Sequence, residues 1–354
     1  MKPEMRESLR PLLESSEGVH LTAYVENRNR LEVRRQLQGI LDEAYEWLNE
    51  AMSIEERAKF LEPIDLLVRD NWRLEDIRGN LGLFRTKDTF RVLNLPVEIK
   101  TQCHVATSFH VKPLLRWMQL DREFYFLGLT KSAASLWVGN FSSVRKLDSL
   151  HFGETEVGNL GARFRAIKDW MDGLIQSARP KLFVVAEGRE VRRLESILKY
   201  RGVVSIASSF DESRLESYWV DVRANLREEA KRRLELALIE YQMAEDMNLG
   251  KKNIFQIARA AVKGKVMKLI VADGVNIFGK IDQKTGGLAL HPYDMDHEDD
   301  DVLDDLAQAV LSKGGEVIVA PRDSIPKGRP ILAILKSQVP EAEKFSGVRA
   351  QMVP

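Results

Sequence analysis

The last third of the chain constrains the fold most. KLIVADG and NIFGKID are short apolar runs rich in β-formers. They are followed by DDDVLDDLAQAVLSK, whose apolar residues recur at helical spacing, then by a Gly314-Gly315 turn and the runs EVIVAP and RPILAILK. Strands, an amphipathic helix, a turn and two more strands specify a compact α/β sandwich. Such a unit accounts for only part of a 354-residue chain, which therefore holds two or three domains.

The preceding residues supply the others. GVHLTAYV (18–25) alternates and predicts a strand, and apolar positions from Leu31 to Leu48 predict a helix over 30–52. Ser53 with Glu56 forms a capping box that opens EERAKFLEPIDLLVRD, a helix that Pro63 is expected to kink or divide. GLFRTKDTFRVLNLP predicts a hairpin turning near Thr86–Asp88. FYFLGLTK, SAASLWVGN and FSSVRKLD then predict three strands, followed by a helix over 158–178. KLFVVAEG, REVRRLESILKY and VVSIASSF make a βαβ-like unit whose first strand is apolar enough for burial on both faces. Ser209 with Glu212 is expected to cap a helix over 212–246, reaching ~50 Å at ~1.5 Å per residue. The expected domains are 1–120, helix-rich; 121–262, mixed; and 263–336, the sandwich; 337–354 is expected to be a loose tail.

Composition excludes several classes. With 44% hydrophobic and 30% charged residues and 53 basic against 53 acidic side chains, the chain reads as globular and neutral. Only residues 113–265 are net basic, 26 against 20, which favours a phosphate-rich partner there and falls short of a dedicated DNA-binding protein. Cys103 is the only cysteine, so no intrachain disulfide or cysteine zinc site forms. It sits in the alternating stretch EIKTQCHVATSFHV, and a buried strand position is expected over a reactive thiol. Without a signal-like apolar run at the N-terminus, or ~20 consecutive apolar residues anywhere, a cytoplasmic protein is expected.

An ordered set of segments resembles the bacterial relatives of the archaeal and eukaryotic release factor one and Pelota family: GVHLTAYV with QLQGILDEAYEWL, the GLFRT…RVLNLP hairpin, FHVKPLL, FYFLGLTKSAASLW and DVLDDLAQAVLSKGGEVIVAPRDSIP. The resemblance spans residues ~18–336. It implies an RNase H-like central domain and a C-terminal α/β sandwich like that of kink-turn-binding ribosomal proteins. The family's Gly-Gly-Gln loop, whose flexible backbone approaches the peptidyl-tRNA ester, has no counterpart. Gly286-Gly287 and Gly314-Gly315 precede Leu288 and Glu316, and the matching loop HFGETEVGNLGARF has Gly153, Gly158 and Gly161 but no glutamine. The stop-codon-reading Asn-Ile-Lys-Ser motif is also missing. The resemblance thus implies a non-catalytic translation factor in ribosome hibernation or stalled-ribosome handling, without peptidyl-tRNA hydrolysis. Its implied partners are the ribosome or its tRNA and rRNA, with a translational GTPase as a further one; a monomer without a cofactor is expected.

The residues nominate four chemistries. Arg28, Arg30, Arg34 and Arg35 around the first helix, Gly158, Gly161, Arg163 and Arg165 around the central loop, and Lys251 and Lys252 are candidate RNA-phosphate contacts. In the family those first two regions face the ribosome; the other reading is an ordinary charged surface. His291, Asp294, Asp296, His297 and the acids 298–301 form either a metal site or a solvated loop whose last acids cap the next helix. Asp148, Asp169 and Glu187 would serve a metal-dependent RNA hydrolase if they converged, and His151 is a candidate general base or a plain loop residue. GVNIFGKI misses a phosphate-binding loop because Ile281 stands where a hydroxyl is needed, and reads as a turn. A protein-binding adaptor acting through the acidic C-terminal domain is a third function class, and the six tryptophans read as core.

Overall fold

The computed structural model describes residues 12, 18–69, 79–175, 180–186, 188–198, 200, 202–292 and 300–337. The first sheet is antiparallel in the order β3-β2-β1-β4, from β1 (His20–Val25), β2 (Asn80–Arg85), β3 (Phe90–Leu95) and β4 (Gln102–Ala106). β1 is central and buried throughout. Successive strand side chains face opposite ways. Leu21, Ala23 and Val25 therefore enter one core with α1 (Arg30–Trp47) and α2 (Ile54–Arg69), while Tyr24 enters another.

α1 is capped by Asn29, which accepts from Glu32 N at 2.9 Å. The Ser53–Glu56 capping box forms as its spacing predicts, with Ser53 N donating to the Glu56 carboxylate at 3.0 Å. Pro63, however, neither ends nor divides α2, which runs unbroken from Ile54 to Arg69. A helical proline costs ~3 kcal/mol. Burying Phe60, Leu61, Ile64 and Leu67 against the sheet, at ~1.5–3 kcal/mol each, outweighs it.

α3 (Lys112–Leu120) leads into the central sheet, ordered β7-β6-β5-β8-β9. β5 (Phe124–Leu129), β6 (Ala133–Gly139) and β7 (Val144–His151) are antiparallel; β8 (Lys181–Ala186) and β9 (Val203–Ala207) continue parallel to β5. After the short α4 (Glu154–Gly158), α5 (Leu160–Leu174) and α6 (Gly188–Leu198) cover one face, where Phe164, Ile167 and Leu194 meet Leu127, Leu182 and Val184. The other face packs Phe126 against Trp219 of α7 (Leu215–Asp246), their rings 4.5 Å apart. α7 does not use the expected Ser209–Glu212 cap. A 3-10 turn over Glu212–Arg214 precedes it, and Asp211 accepts from Ser213 N at 2.9 Å. The Tyr218 hydroxyl holds Ser209 O and Asp211 N, which places Asp211 at the turn.

The third sheet has the order β10-β16-β11-β15, from β10 (Gly250–Lys251), β11 (Val266–Asp273), β15 (Glu316–Pro321) and β16 (Ile331–Leu335). β11 and β15 are parallel, and β16 runs against β11. α8 (Ile254–Val262) and α9 (Val302–Ser312) pack on β11, and a small sheet orders β12 (Phe278–Ile281) between β13 (Leu288–Leu290) and β14 (Asp300–Asp301). The second half of α7, with Leu234, Ala237 and Tyr241, shares a core with Ile270, Ile318 and Leu332. The second half of α7 and β10 thus pack and pair with the third sheet. A further core runs continuously from Phe84 through Leu114 to Phe126, Leu269 and Leu303, so α3 sits where the three sheets meet. Among the described residues, no helix is long and apolar enough to cross a membrane.

Candidate functional site at the junction of the units

The densest polar cluster lies inside the fold, where the segment after β4 meets α9. Thr22 and Tyr24 project from the buried second face of β1 and hold this segment. The Thr22 hydroxyl accepts from His110 N at 3.0 Å, and the Tyr24 hydroxyl donates to His110 O at 2.6 Å. α3 begins after Val111, whose side chain cannot cap it. Asp304 of α9 does so across space, accepting from Val111 N at 3.0 Å and Lys112 N at 2.8 Å. Its other oxygen contacts His110 Nδ1. Lys112 extends to Asp301, Asn276 Oδ1 and Val275 O. Asp301 in turn caps α9 and the preceding strand turn, accepting from Leu303 N at 3.1 Å and Ile277 N at 3.0 Å. Ser108 Oγ donates to Asp305 at 2.8 Å, and Gln308 Nε2 to Phe109 O at 3.0 Å, closing the seam.

Burial and charge set the protonation states. Burial would raise the Asp304 carboxyl, but His110, Lys112 and the hydrogen bonds outweigh it and hold this group below the ordinary carboxylate range. Burial prevails at Asp301, whose carboxyl is raised although Lys112 pulls it down. His104 stacks on His110, with ring centroids 4.2 Å apart. Burial, helped by the charges of His110 and Lys112, pushes His104 down to about 3. The ring is therefore neutral throughout the physiological range.

His110, Asp301 and Asp304 are the group of potential metal ligands that converges among the described residues. Their donor set does not suit an ion. Each carboxylate oxygen already accepts from a backbone N–H or faces His110 or Lys112, and the Lys112 ammonium supplies the positive charge that a metal would bring. The cluster is a latch that joins the first unit to the third. Sequence reading missed it because it has no motif spacing. Its trace was a lysine inside the apolar run FHVKPLL and an aspartate pair inside an apolar helix, charges at positions the helical period buries.

The predicted sites lie elsewhere. Arg28 and Arg35 are exposed and make surface pairs with Glu26 at 3.0 Å and Glu32 at 3.7 Å. Arg30 is exposed at the first position of α1, with Arg34 half-buried one turn on. Gly158 and Arg165 are exposed at the α4–α5 corner, but Arg163 is buried against Glu190 and lies over the Phe152 and Phe164 rings. That guanidinium is spent on the core and is not presented to a phosphate. Gly161 N donates to the Asn159 cap of α5. Lys251 folds back onto Asn248, and Lys252 pairs with Glu245 at 2.6 Å.

His291 is half-buried after β13; Asp294, Asp296 and His297 fall outside the described residues. Asp301, the end of that acidic run, caps α9 as expected. Asp148 accepts from Trp170 Nε1 at 3.0 Å, Asp169 is exposed beside Lys168, and Glu187 lies outside the described residues, so no carboxylate centre forms from those described. NIFGKID supplies β12. Cys103 lies in β4 and is half-buried, where the sequence pattern predicts a buried position; burial raises its thiol far above the ordinary range.

No protein-family profile and no curated protein matches the chain. Solved structures resemble it at low identity. S. cerevisiae Dom34, a translation termination-like factor involved in RNA quality control pathways and interacting with Hbs1, is 13% identical over 72% of this chain and 74% of that one, with a TM-score of 0.41. Archaeoglobus fulgidus Pelota is 14% identical over 72% and 79%, with a TM-score of 0.39. An archaeal Pelota from a ribosome-bound assembly with ABCE1 is 11% identical over 95% of each chain, with a TM-score of 0.40. These are likenesses, and at these values they fix neither activity nor partner.

Proposed function

We propose that this protein is a non-catalytic factor that binds ribosomes or tRNA-containing complexes, acting in ribosome hibernation or stalled-ribosome handling. The observation that carries the reading is the arginine cluster at the start of α1. Arg28, Arg30, Arg34 and Arg35 crowd a helix N-terminus, where the dipole already presents positive charge. Cations there do nothing for the helix, and Arg28 and Arg35 keep side-chain exposures of 65% and 81%. A polyanion would be drawn to both the side chains and the dipole. In the release factors that these segments resemble, this region faces the ribosome, which supports the reading. Three antiparallel strands followed by two parallel ones support an RNase H-like reading of the central unit.

Co-sedimentation with ribosomes at low and moderate salt tests the proposal. We expect saturable binding that competes with A-site tRNA and weakens steeply with salt, and that Arg30→Glu with Arg34→Glu reduces it roughly tenfold or more. Absence of binding at either salt, or binding indifferent to the double substitution, would overturn it.

A further inference from the structure

A cleft of about 380 Å3 lies where α3, the middle of α7 and the turn between α9 and β15 meet. Leu115 and Met118 of α3, Met267 of β11, Leu311 of α9 and Ile318 of β15 give it an apolar lining. Gly314 and Gly315 form one wall without side chains; Gly314 takes φ +76, and a Cβ there would meet nothing within 4 Å. Gln119 frames the cleft and fixes its shape. Its side chain holds both backbone groups of Val319 on the edge strand β15, accepting from Val319 N at 2.7 Å and donating to Val319 O at 3.0 Å. Its backbone carbonyl accepts from Arg233 Nη2 of α7 at 2.7 Å.

Two guanidiniums stand in this apolar setting. Arg122 and Arg233 both line the cleft, near enough for the charge of one to act on the other. Arg233 Nε is buried and, among the described residues, has no acceptor. Such a donor is costly to leave unmet, the more so on a charged group. The acids nearby are committed to other cations: Glu229 to Lys181 at 2.8 Å, and Glu316, which also lines the cleft, to Lys268 at 3.5 Å. Burial and the Arg122 charge push the Arg233 guanidinium down, and Glu229 and Glu316 offset only part of that. A guanidinium fork matches a carboxylate or a phosphate. An apolar lining with a few fixed polar groups, at this volume, is the composition of a small-molecule site. We propose that this cleft binds a small amphipathic anion, its carboxylate or phosphate head at Arg122 and Arg233 and its apolar body against Met118, Met267 and Leu311.

Ribosome binding is not required for this site. The full-length protein is titrated by calorimetry with hexyl phosphate, hexanoate, hexylammonium and inorganic phosphate, with circular dichroism as a fold control for each variant. At least one of the two amphipathic anions is expected to bind saturably, one molecule per chain, and the tighter of them identifies the head group. Hexylammonium should not bind, and inorganic phosphate should bind roughly tenfold or more weakly than the tighter anion, since it lacks the apolar body. Arg122→Glu, at an exposed position, should weaken that anion by roughly tenfold or more. Met267→Glu, at a position 43% exposed, should weaken it by several-fold through the apolar end alone. No saturable binding of either anion, equal binding of hexylammonium or of inorganic phosphate, or binding unchanged by Arg122→Glu would overturn the proposal.

Discussion

At the scale of single residues, His104 shows how a fold selects a protonation state. The unfolded chain protonates it near 6.5, whereas the folded chain does so only near about 3. Between those values the unfolded state binds more protons, so stability rises with pH across that window and is fully present above it. The slope approaches ~1.4 kcal/mol per pH unit for one proton. Asp304, held below the ordinary carboxylate range, adds stability that is lost only at more acid pH; Asp301, raised by burial, has the opposite sign. Urea unfolding at pH 7 and pH 5 should therefore show a loss on acidification that His104→Phe diminishes, since phenylalanine keeps a ring against His110 and cannot ionise. An equal loss in both proteins would move the cause to another group.

Among the elements, α7 separates what local sequence dictates from what packing decides. Its length and its seam of Trp219, Val222 and Leu226 follow from helical spacing, but its start does not: Arg214 precedes it without a side-chain cap, and Asp211 caps the 3-10 turn before it. Ser-x-x-Glu at 209–212 and Asp211 both satisfy local rules, and the Tyr218 hydroxyl, a tertiary anchor, settles the choice for Asp211. Asp211→Ala should lower the urea midpoint, while Ser209→Ala should leave it unchanged; the reverse result would restore the expected capping box. The strands were legible for a related reason. Alternation and turn residues bound β1, β2, β3 and the β5–β7 meander closely. That β1 would be buried on both faces was not legible, because its second face carries His20, Thr22 and Tyr24, residues that read as solvent-facing until a partner is known. The same holds for Arg163, whose partner Glu190 comes from a different helix.

For the whole molecule, the junction latch links units that the sequence suggested only as neighbours. Lys112 and Asp301 are nearly inaccessible, so removing one partner strands a charge. Lys112→Met is expected to cost about 3–5 kcal/mol of unfolding free energy. Adding Asp301→Asn should recover part of it, since the two residues act as a unit. A loss below ~1 kcal/mol would show that the latch contributes little to the native state.

The cap that Asp304 provides for α3 spans 193 positions along the chain. A nascent chain emerging from its N-terminus makes α3 long before it makes the carboxylate that completes it. Until residue 304 leaves the exit tunnel, the backbone N–H groups of Val111 and Lys112 lack this acceptor. The Lys112 ammonium lacks its own partners until Val275, Asn276 and Asp301 have emerged. Vectorial synthesis therefore withholds the final closure of the early units until the last one has arrived.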